Sequence, residues 1–220
     1  MAYPTYPDTF TKEITIGDKT IEFEIGKFSE QVSASVIARC GGTVVHTTIA
    51  LGDKKSLPFF PLSVEFEEKL YASGTIKGSR WVKRNGRPTD DAVLRARLID
   101  RSLRPMFADG VRHEVQVVNT VFSYDGENEP DMLALFAAGL GMEVSEIPFE
   151  GPLAGVRVGL GESGEFVFNM DTTAIAENDL DLIVSGTKES VVMVEAGANE
   201  VDEETMIDAL EAAHAEIKKM

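Results

Sequence analysis

Three arginines, Arg97, Arg101 and Arg104, recur at near-helical spacing within the stretch RARLIDRSLRPMF, residues 95–107. Guanidinium suits phosphate well, because its planar fork donates two parallel hydrogen bonds and its charge does not titrate away. With Arg95 the stretch holds four arginines among leucines, an isoleucine and a phenylalanine, and it reads as a buried helix. Burying guanidinium is costly unless it is paired. On a helical wheel with Ala96 at zero, Ala92, Ala96, Ile99 and Leu103 fall within about 40° of one another and form the expected core face. Leu94 and Leu98 form a second apolar stripe near roughly 160–200°, and Arg97, Arg101 and Arg104 lie between the stripes at about 80–140°. Asp100 alone adjoins them, and its i,i+4 pair with Arg104 is worth a few tenths of a kcal/mol. One carboxylate cannot satisfy three guanidiniums. Either acids from the sheets fold over them as an ion-pair network, or they line a cavity suited to a polyanion.

The segment just before this helix, YASGTIKGSRWVKRNGRP (residues 71–88), has three glycines and reads as a long basic loop. It supplies Arg80, Trp81, Lys83 and Arg84. Basic groups beside an aromatic ring provide what single-stranded nucleic acid needs, charge for the backbone and a flat face for a base. From Lys69 to Arg104 there are ten Lys or Arg against three Asp, a local charge of +7 in a chain of −16, which leaves −23 for the rest. Such an acidic balance argues against nonspecific nucleic-acid binding by the whole surface and makes the basic stretch a located feature. A solvated loop with ion pairs is the plainer alternative.

The elements that must position these residues are legible in outline. KEITIGDKTIEFEIGKFS contains two alternating runs around Gly17-Asp18, a hairpin, and SASVIARCGGTVVHTTIALG a second around Gly41-Gly42. In FFPLSVEFEEK, Leu62, Val64 and Phe66 fall on one face of a strand. Thr89-Asp90-Asp91 caps the arginine helix, which Pro105 ends. EVQVVNTVFSY is a buried strand, Asp125-Gly126 a turn, and Pro130-Asp131 opens a helix that is apolar nearly all round and therefore central. LAGVRVGLG, GEFVFN, DLDLIVSG and SVVMVEAG are further strands. The last element, Val201 to Met220, is a helix whose expected buried face is Ile207, Leu210, His214 and Ile217; with no visible C-cap, it reads as leading into something else. His214 and His46 are read as packing residues.

With 220 residues, 43% hydrophobic and 26% charged, the composition is that of a globular domain with a real core. No run approaches the length of a membrane span, and the N-terminus lacks the pattern of a secretory signal. A lone cysteine, Cys40, cannot form an internal disulfide; it reads as a small strand residue in a cytoplasmic protein.

Four stretches, FFPLSVEFEEKLYASGTIKG, GRPTDDAVLRARLIDRSLRPMF, NEPDMLALFAAGLGMEVSEIPFEGPLAGVRVG and LDLIVSGTKESVVMVEAGA, closely resemble, in order, the first RNase PH-like unit of the polynucleotide phosphorylase family. The resemblance runs from about residue 10 to 215. It implies an α+β fold, RNase PH-like (ribosomal protein S5 domain 2-like), with mixed β-sheets packed with about three main helices. On this reading residues 1–200 are the RNase PH-like domain and 201–220 begin the route to an all-helical region. It implies a protein with two such units followed by KH and S1 RNA-binding domains. That protein would form a homotrimer around a channel and degrade single-stranded RNA from its 3′ end with inorganic phosphate, releasing nucleoside diphosphates, aided by Mg2+ or Mn2+.

By the same resemblance, Trp81-Val82-Lys83-Arg84 matches the family's channel-neck loop, with Val82 in place of a second aromatic, and Arg97, Arg101 and Arg104 match arginines that face RNA. The metal-holding segment of the family's active unit carries an aspartate, a lysine two residues on and an aspartate six residues earlier. Here those positions are Asp181, Ile183 and Ile175, and no serine-rich phosphate-binding turn is evident. A lone carboxylate makes a poor Mg2+ site. The resemblance therefore implies a noncatalytic unit without a metal of its own, Asp181 being a structural strand-end residue and the chemistry belonging to a second unit. A stand-alone phosphorolase and a scaffold with internally paired arginines remain the alternatives.

Overall fold

In a computed structural model the chain is described over residues 9–76, 86–161 and 163–220. The two expected hairpins open it. β1 (Phe10–Ile16) pairs antiparallel with β2 (Lys19–Ile25), and β3 (Ala34–Cys40) with β4 (Thr43–Lys54). Gly41 turns the second hairpin at φ 55°, a left-handed conformation that a residue with a Cβ seldom adopts. β5 (Leu62–Glu68) buries Leu62 and Phe66, as its alternation predicts.

α1 (Asp90–Leu103) is capped by Thr89, whose Oγ1 accepts from the Ala92 N–H at 3.0 Å. It is the crossover between β5 and β6 (His113–Ser123), which run parallel, whereas every other ladder in this sheet is antiparallel. Parallel neighbours require such a crossover, and a helix is the usual one. The strand order is β1-β2-β3-β4-β6-β5.

α2 (Pro130–Val144) packs against β3 and β4, and it also touches the second sheet. Twelve of its residues are buried, which accounts for its near-uniform apolarity. The second sheet, order β10-β9-β7-β8, is antiparallel throughout: β7 (Ala154–Leu160), β8 (Phe166–Phe168), β9 (Leu180–Gly186) and β10 (Val191–Ala198). α4 (Glu203–Ile217) packs on β7 and β9. The layers therefore run sheet, helices α1 and α2, sheet, helix α4. β9 is buried almost throughout: by strand alternation Asp181, Ile183 and Ser185 face the helical layer while Leu182 and Val184 face the other way.

A short six-residue helix, α3 (Thr172–Glu177), lies between β8 and β9 and accompanies the three main helices that were expected. Two expectations need correction. α4 buries the expected face only in part: Ile217 is buried as expected, but Ile207 is exposed, and Ala209 and Ala213 are buried in its place. Small residues let the helix approach the sheet closely. Finally, α1 is a half-buried helix rather than a buried one. Ala92, Ala96, Ile99 and Leu103 form the expected core face, but of the second stripe only Leu98 is buried, and Leu94, Arg97, Arg101 and Arg104 are exposed.

Candidate nucleic-acid interface

α1, β5 and the segments 69–73 and 86–89 enclose an open cleft of about 920 Å³. Among the described residues its cationic lining is Lys69, Arg87, Arg95, Arg97 and Arg104, set against Glu65, Glu67, Glu68 and Asp100. The cleft is thus mixed in charge, and what matters is which cations are already engaged.

Arg104 is engaged. Its Nε and Nη2 grip the Asp100 carboxylate at 2.9 and 2.5 Å, and its remaining donors reach the carbonyls of Phe60 and Leu62, each at 3.2 Å. Arg101 turns away from the cleft to β10, where it donates to Glu195 at 2.6 Å and to the Val194 carbonyl at 3.2 Å. Both side chains remain over 40% exposed. Arg97 differs: it is exposed on the cleft wall and, among the described residues, makes no ion pair or hydrogen bond. The uniform stripe of three is thereby divided into one uncommitted guanidinium and two tied ones. Arg80, Trp81, Lys83 and Arg84 lie outside the described residues.

Arg95, which the wheel places off the stripe, bridges two acids. Nη1 donates to Glu68 Oε1 at 3.0 Å and Nη2 to Glu129 Oε2 at 2.9 Å, with the guanidinium 5.8 Å from the centre of the Phe66 ring. Neither partner could be foreseen, since they stand 27 and 34 residues away in sequence.

Asp181 belongs to a separate cluster. Its carboxylate accepts from Arg157 Nε at 2.8 Å and Nη2 at 3.4 Å, and Arg157 Nη1 lies 3.4 Å from Asp131 of α2. Burial works against the Arg157 charge, and the carboxylates of Asp131, Asp181 and Glu129 more than offset it, raising its pKa. This donor set does not fit a divalent cation. Both oxygens of Asp181 are engaged by a guanidinium, and Ile183 and Ile175 offer no oxygen.

The family model of the 3′ exoribonuclease family, domain 1 (RNase PH), matches residues 17–148, and that of domain 2 matches residues 151–216. The chain belongs to the 3′ exoribonuclease family. The polyribonucleotide nucleotidyltransferase of Halothermothrix orenii is 49% identical over 208 residues, covering 94% of this chain and 29% of that protein. The one from Thermus thermophilus is 46% identical over 216 residues, covering 98% and 30%. The chain therefore spans less than a third of the length of these relatives. Rice Rrp46 shares the RNase PH-like fold, with a TM-score of 0.71 over 90% of this chain and 89% of that one at 13% identity. The mixed six-stranded sheet and the smaller antiparallel one are thus the family's fold, with β2 to α2 in the first family domain and β7 to α4 in the second.

Proposed function

We propose that this chain is the first, noncatalytic RNase PH-like unit of a phosphorolytic 3′-to-5′ exoribonuclease of the polyribonucleotide nucleotidyltransferase type, binding single-stranded RNA in the α1 cleft. The supporting observation is Arg97, an exposed guanidinium on the cleft wall with no intramolecular counterion among the described residues. Most guanidiniums beside it are neutralised by acids, and RNA phosphates are what a free one would attract. Arg104 and Arg101 are proposed as secondary contacts, since a phosphate there must compete with Asp100 or Glu195. Arg80, Lys83 and Arg84 of the basic loop would track the backbone, with Trp81 offering a face to a base.

In phosphorolysis an oxygen of inorganic phosphate attacks the terminal phosphodiester and the 3′-oxygen leaves, so the products are a nucleoside diphosphate and a shortened RNA. This chain's part is to hold the strand and fix its register. The Mg2+ or Mn2+ that assists the attack is assigned to a second unit, because Asp181 is committed to Arg157. A homotrimer, a cytoplasmic setting, and a division of the chain into 1–200 and an outgoing helix from 201 complete the proposal.

The experiment is RNA binding as a function of salt. Each phosphate neutralised on a single strand contributes about −0.7 to the slope of log K against log salt. Arg97→Ala is expected to reduce the slope by about 0.7, with smaller effects for Arg101→Ala and Arg104→Ala. Three unchanged slopes would favour a scaffold without an RNA role. Diphosphate release by the 220-residue chain alone, given RNA, phosphate and Mg2+, would overturn the noncatalytic assignment.

A further inference from the structure

The cleft holds a second kind of arginine. Arg95 lines it, yet its charge is bracketed by two carboxylates, Glu68 from the end of β5 and Glu129 just ahead of α2. A phosphate approaching Arg95 meets two negative groups for one positive one, so Arg95 is poorly placed to bind RNA. Its partners have further duties. Glu68 Oε2 accepts from the hydroxyl of Thr89 at 2.9 Å, and the same Thr89 oxygen caps α1 by accepting from the Ala92 N–H. Glu129 Oε1 accepts from Thr172 Oγ1 of α3 at 3.0 Å. One guanidinium therefore ties the first turns of α1 to β5 on one side and to the α2–α3 junction on the other. Arg97 stands two residues further along that helix.

We propose that Arg95 is a positioning residue for RNA binding: its bridge between Glu68 and Glu129 sets the position of α1 at which Arg97 meets the strand. This rests on the reading of the cleft as an RNA path. Lysine cannot replace it, because an ammonium is a point charge without the planar fork that spans two carboxylates at once. Arg95→Lys keeps the cleft's net charge and removes the bridge, which separates geometry from electrostatics.

The test is a double-mutant cycle on the intact protein, with fluorescent oligo(A) as the probe and salt titrations for every variant. Circular dichroism melts confirm that each variant is folded at the assay temperature. Arg95→Lys is expected to weaken binding about fivefold while leaving the salt slope unchanged, and to have no effect in an Arg97→Ala background, because interacting sites are non-additive. Glu129→Gln, which leaves Arg95 in place and weakens one limb of the bridge, is expected to act in the same direction and to lose its effect in the same background. A fall in slope of about 0.7 with Arg95→Ala, scaled against Arg97→Ala, would mean that Arg95 itself touches phosphate, and would overturn the proposal. An equal cost in both backgrounds, or no cost with Arg95→Lys while Arg97→Ala still weakens binding, would also overturn it and leave the cleft reading standing. If neither Arg95→Lys nor Arg97→Ala changes binding, the cleft reading itself fails.

Discussion

Arg157 and Asp181 join β7 to β9 by a two-point contact, Nε to Oδ1 at 2.8 Å and Nη2 to Oδ2 at 3.4 Å, and the same guanidinium lies 3.4 Å from Asp131 on α2. The Asp181 limb of this contact closes β7 onto β9 within the second sheet, and the Asp131 limb fastens that sheet to the helical layer. A cation would have to displace the Arg157 guanidinium to reach Asp181.

Removing the cation from this cluster should be far worse than removing the outer acid. Arg157→Met leaves Asp131, with only 5% of its side chain exposed, as an uncompensated buried charge; the expected loss is about 3–5 kcal/mol in urea unfolding. Asp181→Asn leaves Arg157 paired to Asp131, and the lost acid is about a third exposed, so roughly 1 kcal/mol is expected. Equal losses would show that the two acids are not ranked as their burial implies.

Asp125 staples the β3–β4 turn to the segment that leads into α2. It accepts hydrogen bonds from the N–H groups of Gly42, Glu127 and Asn128, from the Thr43 hydroxyl and from the Asn128 amide. Burial pushes its pKa up, but the backbone and side-chain hydrogen bonds outweigh burial and hold the carboxyl well below the usual carboxylate range. A depressed folded value means that the stabilisation is complete above the unfolded pKa, near about 3.9, and is lost as pH falls through the folded value. Asp125→Asn should therefore lower stability by about 1–2 kcal/mol at neutral pH, a modest figure because the group is exposed, and the gap from wild type should narrow only below about pH 4. Chemical denaturation at a series of pH values measures both.

His46 is buried between Phe28 and Phe122, with Nε2 hydrogen-bonded to Ser35 Oγ at 3.0 Å, and burial lowers its pKa. The unfolded chain then takes up a proton first as the medium is acidified. The contribution of a neutral His46 is complete above the unfolded value near about 6.5 and declines as pH falls from there toward the folded value. His46→Phe should remove that part of the pH dependence, so that the stability difference between variant and wild type changes between about pH 7.5 and 5.5 in favour of the variant. A constant difference across that interval would show that the ring titrates as freely in the folded protein as in the unfolded one.

Gly139 lies in the middle of α2, where alanine would ordinarily be preferred by about 1 kcal/mol. Here a Cβ would come within 2.4 Å of the Leu153 carbonyl oxygen, a backbone atom that cannot swing aside. Gly139→Ala should consequently destabilise by roughly 1–3 kcal/mol, with a thermal midpoint below that of wild type. A gain in midpoint would mean that the helix and the chain entering β7 separate at little cost.

What could be read along the chain was what neighbouring residues settle among themselves. The Gly17-Asp18 and Gly41-Gly42 turns, the Thr89 cap and the Pro130 helix start each depend on a few adjacent residues, and each stands where the local chemistry places it. The core face of α1 followed from periodicity and the central place of α2 from its apolarity all round, because burial of a helix is written in where its apolar residues fall. The resemblance to the 3′ exoribonuclease family was equally legible, since it rests on long ordered motifs. The fate of the charges was not. Arg101 meets Glu195 and Arg95 meets Glu68 and Glu129 only because the sheets bring residues 94, 27 and 34 positions apart to one place. A helical wheel counts the counterions on its own helix and is blind to those that other elements deliver. α4 departs from its spacing for a related reason: the i, i+3, i+7, i+10 pattern points to Ile207, whereas close packing on β7 and β9 buries the small Ala209 and Ala213. The sequence by itself determined which residues could bind an anion; for Arg97, Arg101 and Arg104 the tertiary structure decided which has no counterion among the described residues, because pairing depends on distance in space and not on distance along the chain.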